Sequence, residues 1–109
     1  MTGLTRREEL IMLTIFRLKN EAYLIAIVDH LFEVTGKKMS LTSVHVPLSR
    51  LEKAGLIEGE YGESTAVRGG RRKKVYRITK IGYEMLEEHK RLTDVLWADY
   101  PKFSTPKEK

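Results

Sequence analysis

The segment Leu41-Thr-Ser-Val-His-Val-Pro-Leu-Ser-Arg-Leu-Glu-Lys-Ala-Gly-Leu-Ile57 decides the fold of this 109-residue chain. Its apolar residues recur at the spacing of one helix face, namely at Leu41, Val44, Leu48 and Leu51. A helix turns by about 100° per residue, so the opposite face collects short polar and basic side chains. These are Thr42, Ser43, Ser49, Arg50 and Lys53, together with the apolar Val46, and His45 lies at the flank. We predict a helix over residues 42–54, with Pro47 in or just after its first turn and Gly55 ending it.

Two extended segments follow this helix and predict a β-hairpin, Leu56–Tyr61 and Lys74–Thr79. Their connection, residues 62–73, is polar and basic. The thirteen residues 68–80 hold seven of the 20 Lys and Arg and none of the 15 Asp and Glu, so the rest of the chain is net −2 while the whole is +5. A cationic arm this concentrated favours a polyanionic partner, with an inert solvated tip or an anionic membrane as alternatives.

The N-terminal part of the chain predicts two further helices. Thr5 and Glu8 have the spacing of a capping box, which begins the first helix. The second is expected over about Ala22–Thr35, with Asn20 as a possible N-cap and Gly36 as a left-handed stop. Residues 37–40 are expected to form a single extended pairing.

A fourth helix is predicted after the hairpin. Thr79 can cap it, and Pro101 stops it near Tyr100. The remaining residues, 102–109, are polar and are expected to fray. The predicted fold is therefore mainly α with a small β-hairpin (α+β): a winged helix-turn-helix followed by a C-terminal dimerisation helix. We divide it into a winged helix-turn-helix domain over residues 1–79 and a dimerisation helix with its tail over residues 80–109.

Composition excludes several classes of function. The chain has no cysteine, so disulfides, thiolate metal sites and cysteine nucleophiles are absent. Its longest apolar run, residues 23–28, is far shorter than a membrane span, so we expect a cytoplasmic protein without a membrane partner. His30, His45 and His89 lie far apart in sequence, and we expect no metal site. No catalytic motif or nucleotide-binding loop is present, so neither catalytic residues nor a cofactor is expected.

The predicted order of elements favours binding of duplex DNA. An α-helix fits the major groove, and a basic hairpin beside it can reach the phosphates. The candidate contacts of the helix are Thr42, Ser43, His45, Val46, Ser49, Arg50 and Lys53. Those of the hairpin tip are Arg68, Gly69, Gly70, Arg71, Arg72 and Lys73. In the alternative interpretation the helix hydroxyls only cap, and Val46 packs against a neighbour.

The two outer helices are more apolar than a small monomer can hide, which predicts a homodimer. The candidate interface residues are Leu13, Phe16, Met85, His89, Leu92, Leu96 and Trp97. A two-fold axis would place two recognition helices about 34 Å apart, which matches a palindromic operator. Trp97 and Tyr100 are candidates for a pocket that binds a small aromatic effector; alternatively, they anchor the rim of the interface.

Several motifs together resemble the PadR-like family of bacterial transcription regulators. They are Glu21-Ala-Tyr23, the run Ser43 to Ile57, Gly69-Gly-Arg71, Tyr76-Arg-Ile-Thr79 and Gly82, and the similarity covers about residues 8–86. The resemblance implies a homodimeric transcription factor, usually a repressor. It also implies a recognition helix at residues 42–54, a wing tip at residues 62–73 and dimerisation through the C-terminal helix, assisted by the first. The short C-terminus resembles the smaller branch, which includes multidrug-responsive regulators.

The chain departs from this family at two positions. His45 stands where the family commonly has a tyrosine that contacts the DNA backbone. Because imidazole gains charge as the pH falls through the range near neutrality, we expect this contact to depend on pH. Leu24 stands where the family often has glycine after Ala-Tyr, which alters the packing of the second helix.

Two other functions remain open at this stage. A winged-helix protein-interaction module would carry acids on the outward face of the third helix, where only Glu52 comes near. A binder of RNA or of single strands, without sequence preference, normally exposes aromatic rings on which bases stack. The hairpin offers only Tyr61 and Tyr76 for that purpose.

Overall fold

The computed structural model describes residues 3–62 and 73–101. The elements within them are α1 (Arg6–Leu18), a 3-10 turn (Lys19–Glu21), α2 (Leu24–Thr35), α3 (Leu41–Lys53), β1 (Ile57–Tyr61), β2 (Lys74–Ile78) and α4 (Lys80–Ala98). This order confirms the predicted mainly helical fold with one hairpin. The predictions on the wing residues 63–72 and on the tail 102–109 lie outside the described residues.

The start of α1 is the predicted capping box. The backbone N–H of Glu8 donates to the Thr5 hydroxyl at 3.0 Å, and the backbone N–H of Thr5 donates to Glu8 Oε1 at 2.9 Å. The helix buries Ile11, Met12 and Ile15 completely or nearly so. Two of the four orphan donors at its N-terminus are therefore satisfied from within the chain.

The segment before α2 differs from the sequence prediction. Asn20 lies in the 3-10 turn, and the N-cap of α2 is Tyr23, whose side chain makes no capping hydrogen bond. Tyr23 instead forms a single antiparallel β-bridge with Val75, and the N–H of Tyr76 donates to the Ala22 carbonyl at 2.8 Å. Residues 37–40 form no strand pairing, so that prediction is wrong. The isolated β-bridge forms instead at Tyr23, along the edge of β2 that does not face β1.

The helix-turn-helix unit is formed by α2 and α3. Gly36, at φ 75°, ends α2 in the left-handed conformation that the sequence predicts. The N-cap of α3 is Ser40, whose hydroxyl accepts from the N–H of Ser43 at 3.0 Å. Helix α3 therefore begins at Leu41, one residue earlier than predicted, and Pro47 lies buried in its second turn.

The core lies where α1, α2, α3 and the hairpin meet. Val44, Leu48 and Leu51 point from α3 into it and are fully buried. Across the core they meet residues of α1, α2 and the hairpin, including Ile11, Ile15, Ile27, Leu31, Ile57 and Tyr76. Burial of these apolar side chains fixes the rotation of α3, and hence which of its side chains face solvent.

The hairpin is an antiparallel pair in which Ile57 faces Ile78 and Gly59 faces Tyr76. A Cβ at position 59 would collide with the end of the Lys74 side chain and lie 3.1 Å from the Tyr76 ring, so glycine leaves room for both side chains on this face of the hairpin. The hairpin thus packs against α3 through β1 and against α1 through β2.

The N-terminal end of helix α4 is attached to the core by hydrogen bonds, and its C-terminal half projects away from the core. The Thr79 hydroxyl accepts from the N–H of Gly82 at 3.0 Å and donates to the Gly55 carbonyl at 2.6 Å. A compact chain of this length has a radius of gyration of about 13 Å, whereas the value here is 17.0 Å. The molecule extends over 61 × 31 × 21 Å because the C-terminal half of α4 leaves the core. Within the described residues, no helix has the length and apolar character needed to cross a bilayer.

Candidate nucleic-acid interface

Helix α3 presents a solvent-facing strip opposite its buried face. The strip contains Thr42, Val46, Ser49 and Lys53, of which only Ser49 is partly covered. Val46 is 46% exposed and lies outside the buried core. Short side chains on an exposed helix allow close approach of another surface, which is what reading base edges in a groove demands.

Ser43 differs from the other hydroxyls of this helix. Its hydroxyl donates to the Ser40 carbonyl at 2.9 Å, while its backbone N–H donates to the Ser40 hydroxyl. The only hydroxyl proton is therefore used within the cap. Ser43 can still accept a hydrogen bond through its lone pairs.

One flank of α3 is joined to the hairpin by an ion pair. Lys74 Nζ donates to Glu52 Oε1 at 3.0 Å, and the two side chains are 30% and 33% exposed. The hydrogen bond to Glu52 raises the pKa of Lys74, with smaller contributions in the same direction from Tyr76 and Tyr61. The ammonium group therefore stays charged at neutral pH and joins the base of the hairpin to α3.

The opposite flank of α3 is joined to α1. Arg50 Nε lies 3.7 Å from Glu8 Oε2, and the Glu8 side chain is only 5% exposed. Because the other oxygen of Glu8 belongs to the capping box, one buried carboxylate ties the start of α1 to α3. Arg50 remains 59% exposed and can face a ligand while it is held from behind.

Of the six residues at the hairpin tip that the sequence predicts to contact DNA, the structure describes only Lys73. Lys73 Nζ lies 4.2 Å above the centroid of the Tyr23 ring, a cation–π contact that directs the end of the connection toward the start of α2. The other five, Arg68, Gly69, Gly70, Arg71 and Arg72, lie outside the described residues. Arg77, further down β2, pairs with Glu60 across the hairpin at 2.8 Å.

The candidate dimer residues fall into two groups. Leu13 and Phe16 of α1 form an apolar groove of about 490 Å³ with Tyr83 and Leu86 of α4. Phe16 meets Tyr83 edge-on, with ring centroids 6.3 Å apart. Beyond the groove, Leu92, Leu96 and Trp97 project from α4 and are 51%, 76% and 61% exposed.

The side chains of Met85 and His89 contact other residues of the same chain. Met85 packs against the core together with Leu86. His89 Nε2 lies 3.5 Å from Glu9 Oε1 of α1. Both residues border the exposed surface but contribute mainly to the attachment of α4.

Trp97 and Tyr100 stack edge to face near the end of α4, with ring centroids 5.0 Å apart. With Leu96 they line a shallow depression of about 280 Å³. A single protomer therefore offers two aromatic rings side by side, and a second surface opposite them would be needed to enclose a ligand.

The polar side chains of the described residues outside this surface do not assemble into a metal centre. Among residues 3–62 and 73–101, no group of three His, Cys, Asp or Glu side chains is close enough to hold a metal ion. His30 Nδ1 faces Glu33 of the same helix at 3.5 Å. Its Nε2 is buried without a hydrogen-bond partner in the described part of the chain.

Sequence reasoning missed the residues that position the interface. Glu8, Glu52, Lys74 and Tyr23 each connect two elements, and helix or strand periodicity contains no information on such contacts. Glu52 gave a weak signal, as the one acid near the outward face of the predicted helix. The sequence predicted the role of Glu8 in the capping box, but not the contact of its second carboxylate oxygen with Arg50.

The chain is similar to known transcriptional regulators in sequence and in fold. The model of the transcriptional regulator PadR-like family matches residues 12–88. A PadR family transcriptional regulator from Eggerthella lenta is 30% identical, with a TM-score of 0.66 over 85% of this chain and 79% of that one. A PadR-like transcriptional regulator from Bacillus cereus is 27% identical, with a TM-score of 0.63 over 82% of this chain and 84% of that one.

A transcriptional regulator from Clostridium thermocellum is 22% identical and shares the fold, with a TM-score of 0.69 over 91% of this chain and 90% of that one. No curated protein matches the chain.

Proposed function

Because the chain belongs to the PadR-like family of transcriptional regulators and is not an enzyme, we propose that it is a homodimeric repressor that binds a palindromic DNA operator. The observation that carries this proposal is the solvent-facing strip of α3. Thr42, Val46 and Ser49 stand clear of the core between two flanks that are braced by ion pairs. This arrangement suits a helix that enters a major groove in one fixed orientation.

The proposed contacts divide into two kinds. Thr42, Ser43, Val46 and Ser49 face base edges, with Val46 placed to meet a thymine methyl group. His45, Arg50 and Lys53 face phosphates. The wing residues Arg68, Gly69, Gly70, Arg71, Arg72 and Lys73 reach neighbouring phosphates, where each neutralised charge releases counterions.

The proposed dimer is formed by residues 80–109, assisted by α1, while residues 1–79 bind DNA. The apolar groove of Leu13 and Phe16 can receive the projecting half of a partner's α4. Leu92, Leu96 and Trp97 expose more apolar surface than a monomer of this size usually leaves in water. Met85 and His89 lie at the edge of the same interface.

Trp97 and Tyr100 take one of two roles in this proposal. They anchor the interface rim, or they form one wall of a pocket in which a small aromatic effector releases the repressor. Titration with flat aromatic compounds, followed by the fluorescence of the only tryptophan, separates the two roles. A spectrum that stays unchanged across a chemically broad set leaves only the rim.

Selection of bound duplexes from a random pool tests the proposed function. We expect a palindromic motif whose half-sites lie about one helical turn apart. Replacement of Arg71 and Arg72 by Ala should weaken binding to all duplexes and flatten the salt dependence by about one unit for each phosphate that the variant no longer neutralises. A protein that retains no duplex at low ionic strength, or that selects single strands instead, would contradict the proposal.

A further inference from the structure

A second basic surface lies beside α3, on the side away from the hairpin. It contains Arg6 and Arg7 from the first turn of α1, and Lys37 and Lys38 from the turn before α3. All four are exposed. Arg6, Arg7 and Lys37 surround an open cleft of about 530 Å³ whose apolar lining is Leu10, Val34 and Met39. We call these four cations the α1 patch.

Three acids near the α1 patch lie against other side chains. Glu8 is buried in the capping box and faces Arg50, and Glu9 and Glu33 lie 3.5 Å from the imidazoles of His89 and His30. By contrast, none of the four cations forms an ion pair within the described residues. The patch therefore presents positive charge that the described protein does not neutralise.

The position of the two arginines opposes helix stability. The N-terminal end of a helix carries the positive end of its dipole, so cations in the first turn are unfavourable. Arg6 and Arg7 are the first two residues of α1. At this place their charges do not stabilise α1 through its dipole, so the helix itself does not account for two adjacent cations.

The rotation of α3 places this patch relative to the proposed groove. At about 100° per residue, Arg50 and Glu52 lie on opposite flanks of the strip formed by Thr42, Val46 and Ser49. Glu52 faces the hairpin through Lys74, and Arg50 faces α1 through Glu8. The hairpin and the α1 patch therefore lie on opposite sides of the same exposed strip.

The dimensions of DNA make this arrangement informative. A helix with its side chains is about 10–12 Å wide, and the major groove is about 12 Å wide. A helix that fills the groove has a row of phosphates along each flank. The base of the hairpin lies on one of these two flanks, and the start of α1 lies on the other.

Resting on the proposed function, we infer that the α1 patch is a second anchor for the DNA backbone. Arg6, Arg7, Lys37 and Lys38 bind the phosphates on the side of the groove away from the wing. Contacts to phosphates position a protein but carry no direct sequence information. The patch therefore supplies affinity and orientation, while the exposed strip of α3 supplies base preference.

Paired charge removal tests this inference. The variants are Arg6→Gln with Arg7→Gln, and Lys37→Gln with Lys38→Gln. The matched control is Arg17→Gln with Lys19→Gln, which removes two exposed cations at the other end of α1 and lowers the net charge equally. Binding of the selected operator and of a random duplex is measured across a series of salt concentrations for each protein. Thermal unfolding confirms that the variants fold, and loss of the two arginines should not lower stability.

We expect each patch variant to flatten the salt dependence by roughly one unit for each phosphate left unneutralised, and to weaken binding near 0.1 M salt by roughly tenfold per phosphate. The effect should be equal on operator and random duplex, since phosphates are common to both. Patch variants that bind like the control would overturn the second anchor while leaving the proposed function intact. A parent protein that binds no duplex would overturn the proposed function itself.

Discussion

The solvent-facing residues of α3 differ in whether they could distinguish one DNA sequence from another. Ser49 offers a hydroxyl on the solvent-facing strip, whereas Arg50, one residue later, is held at the flank by a buried carboxylate. A hydroxyl in the groove can distinguish base edges, but a guanidinium at the flank meets a phosphate that every sequence supplies. Neighbouring residues on one helix thus allow the two kinds of contact to be separated.

Replacing Ser49 by Ala should change base preference, and replacing Arg50 by Gln should not. For Ser49→Ala we expect a decrease of about 1 kcal/mol in discrimination at one position of each half-site. For Arg50→Gln we expect weaker binding on every sequence and a flatter salt dependence. Duplex selection repeated with both variants measures the difference. An unchanged motif for Ser49→Ala would remove this residue from the readout.

The Lys74–Glu52 pair should stabilise the hairpin in a way that depends on pH. Because the pKa of Lys74 is raised in the folded chain, its contribution is complete below the ordinary lysine value and is lost as the pH rises through the folded value. Lys74→Met should therefore lower the free energy of unfolding by about 0.5–1 kcal/mol at neutral pH. The difference from the parent should shrink above about pH 10.5.

Denaturant unfolding of both proteins from neutral to alkaline pH checks this prediction. Glu52→Gln provides the control, because in that background Lys74→Met should have little further effect and no such pH dependence. A deficit of the same size at every pH would mean that Lys74 acts through packing of its methylene stem rather than through its charge.

At the scale of elements, the attachment of α4 depends on one glycine. A Cβ at Gly82 would collide with the Leu56 carbonyl oxygen and would lie 2.7 Å from the Ile78 side chain. That carbonyl accepts the N–H of Thr79 at 3.1 Å, directly beside the Thr79 cap. The start of α4 therefore approaches the end of the helix-turn-helix unit as closely as its backbone allows.

Replacing Gly82 by Ala should separate these two backbones. We expect the free energy of unfolding to fall by about 2–3 kcal/mol, because relief of the collision disturbs the Thr79 cap and the packing of Met85 and Leu86. Glu84→Ala, at an exposed position of the same helix, should change it by no more than about 0.5 kcal/mol. Chemical denaturation compares the two. Equal stability of both variants would show that α4 can shift without cost.

The elements that sequence predicted well are those whose signal is local. The periodicity of Val44, Leu48 and Leu51 set the rotation of α3, and Thr5, Gly36 and Thr79 marked helix ends through their own side chains or backbone conformation. The start of α3 was wrong by one residue because Ser40, Thr42 and Ser43 are all capable caps.

Contacts between distant elements were not predictable in the same way. The bridge between Tyr23 and Val75 joins residues far apart in sequence, and a single pair produces no alternating pattern. Asn20 and residues 37–40 looked suitable for a cap and a pairing by composition alone. Only the folded core brings Ala22 and Tyr23, rather than those residues, against β2.

At the scale of the whole molecule, the projection of α4 separates two kinds of stability. The helix-turn-helix unit and the hairpin share a closed core. The apolar residues Leu92, Val95, Leu96 and Trp97 remain outside it on a helix about 28 Å long. Folding of one protomer therefore leaves apolar surface in water, and association of two protomers would remove it.

Replacing Leu92 by Glu should convert the proposed dimer into a folded monomer. A carboxylate at this position would be taken out of water in the interface without a partner, and that cost exceeds the gain from the surrounding contacts. Sedimentation should give the mass of one chain for Leu92→Glu and of two for the parent and for the exposed-site control Glu84→Gln. The melting temperature of the parent should rise with protein concentration, while that of the variant should not. Since one protomer presents a single recognition helix, the monomer should also bind a palindromic operator no better than one half-site. A dimer that survives Leu92→Glu would place the interface elsewhere on the molecule.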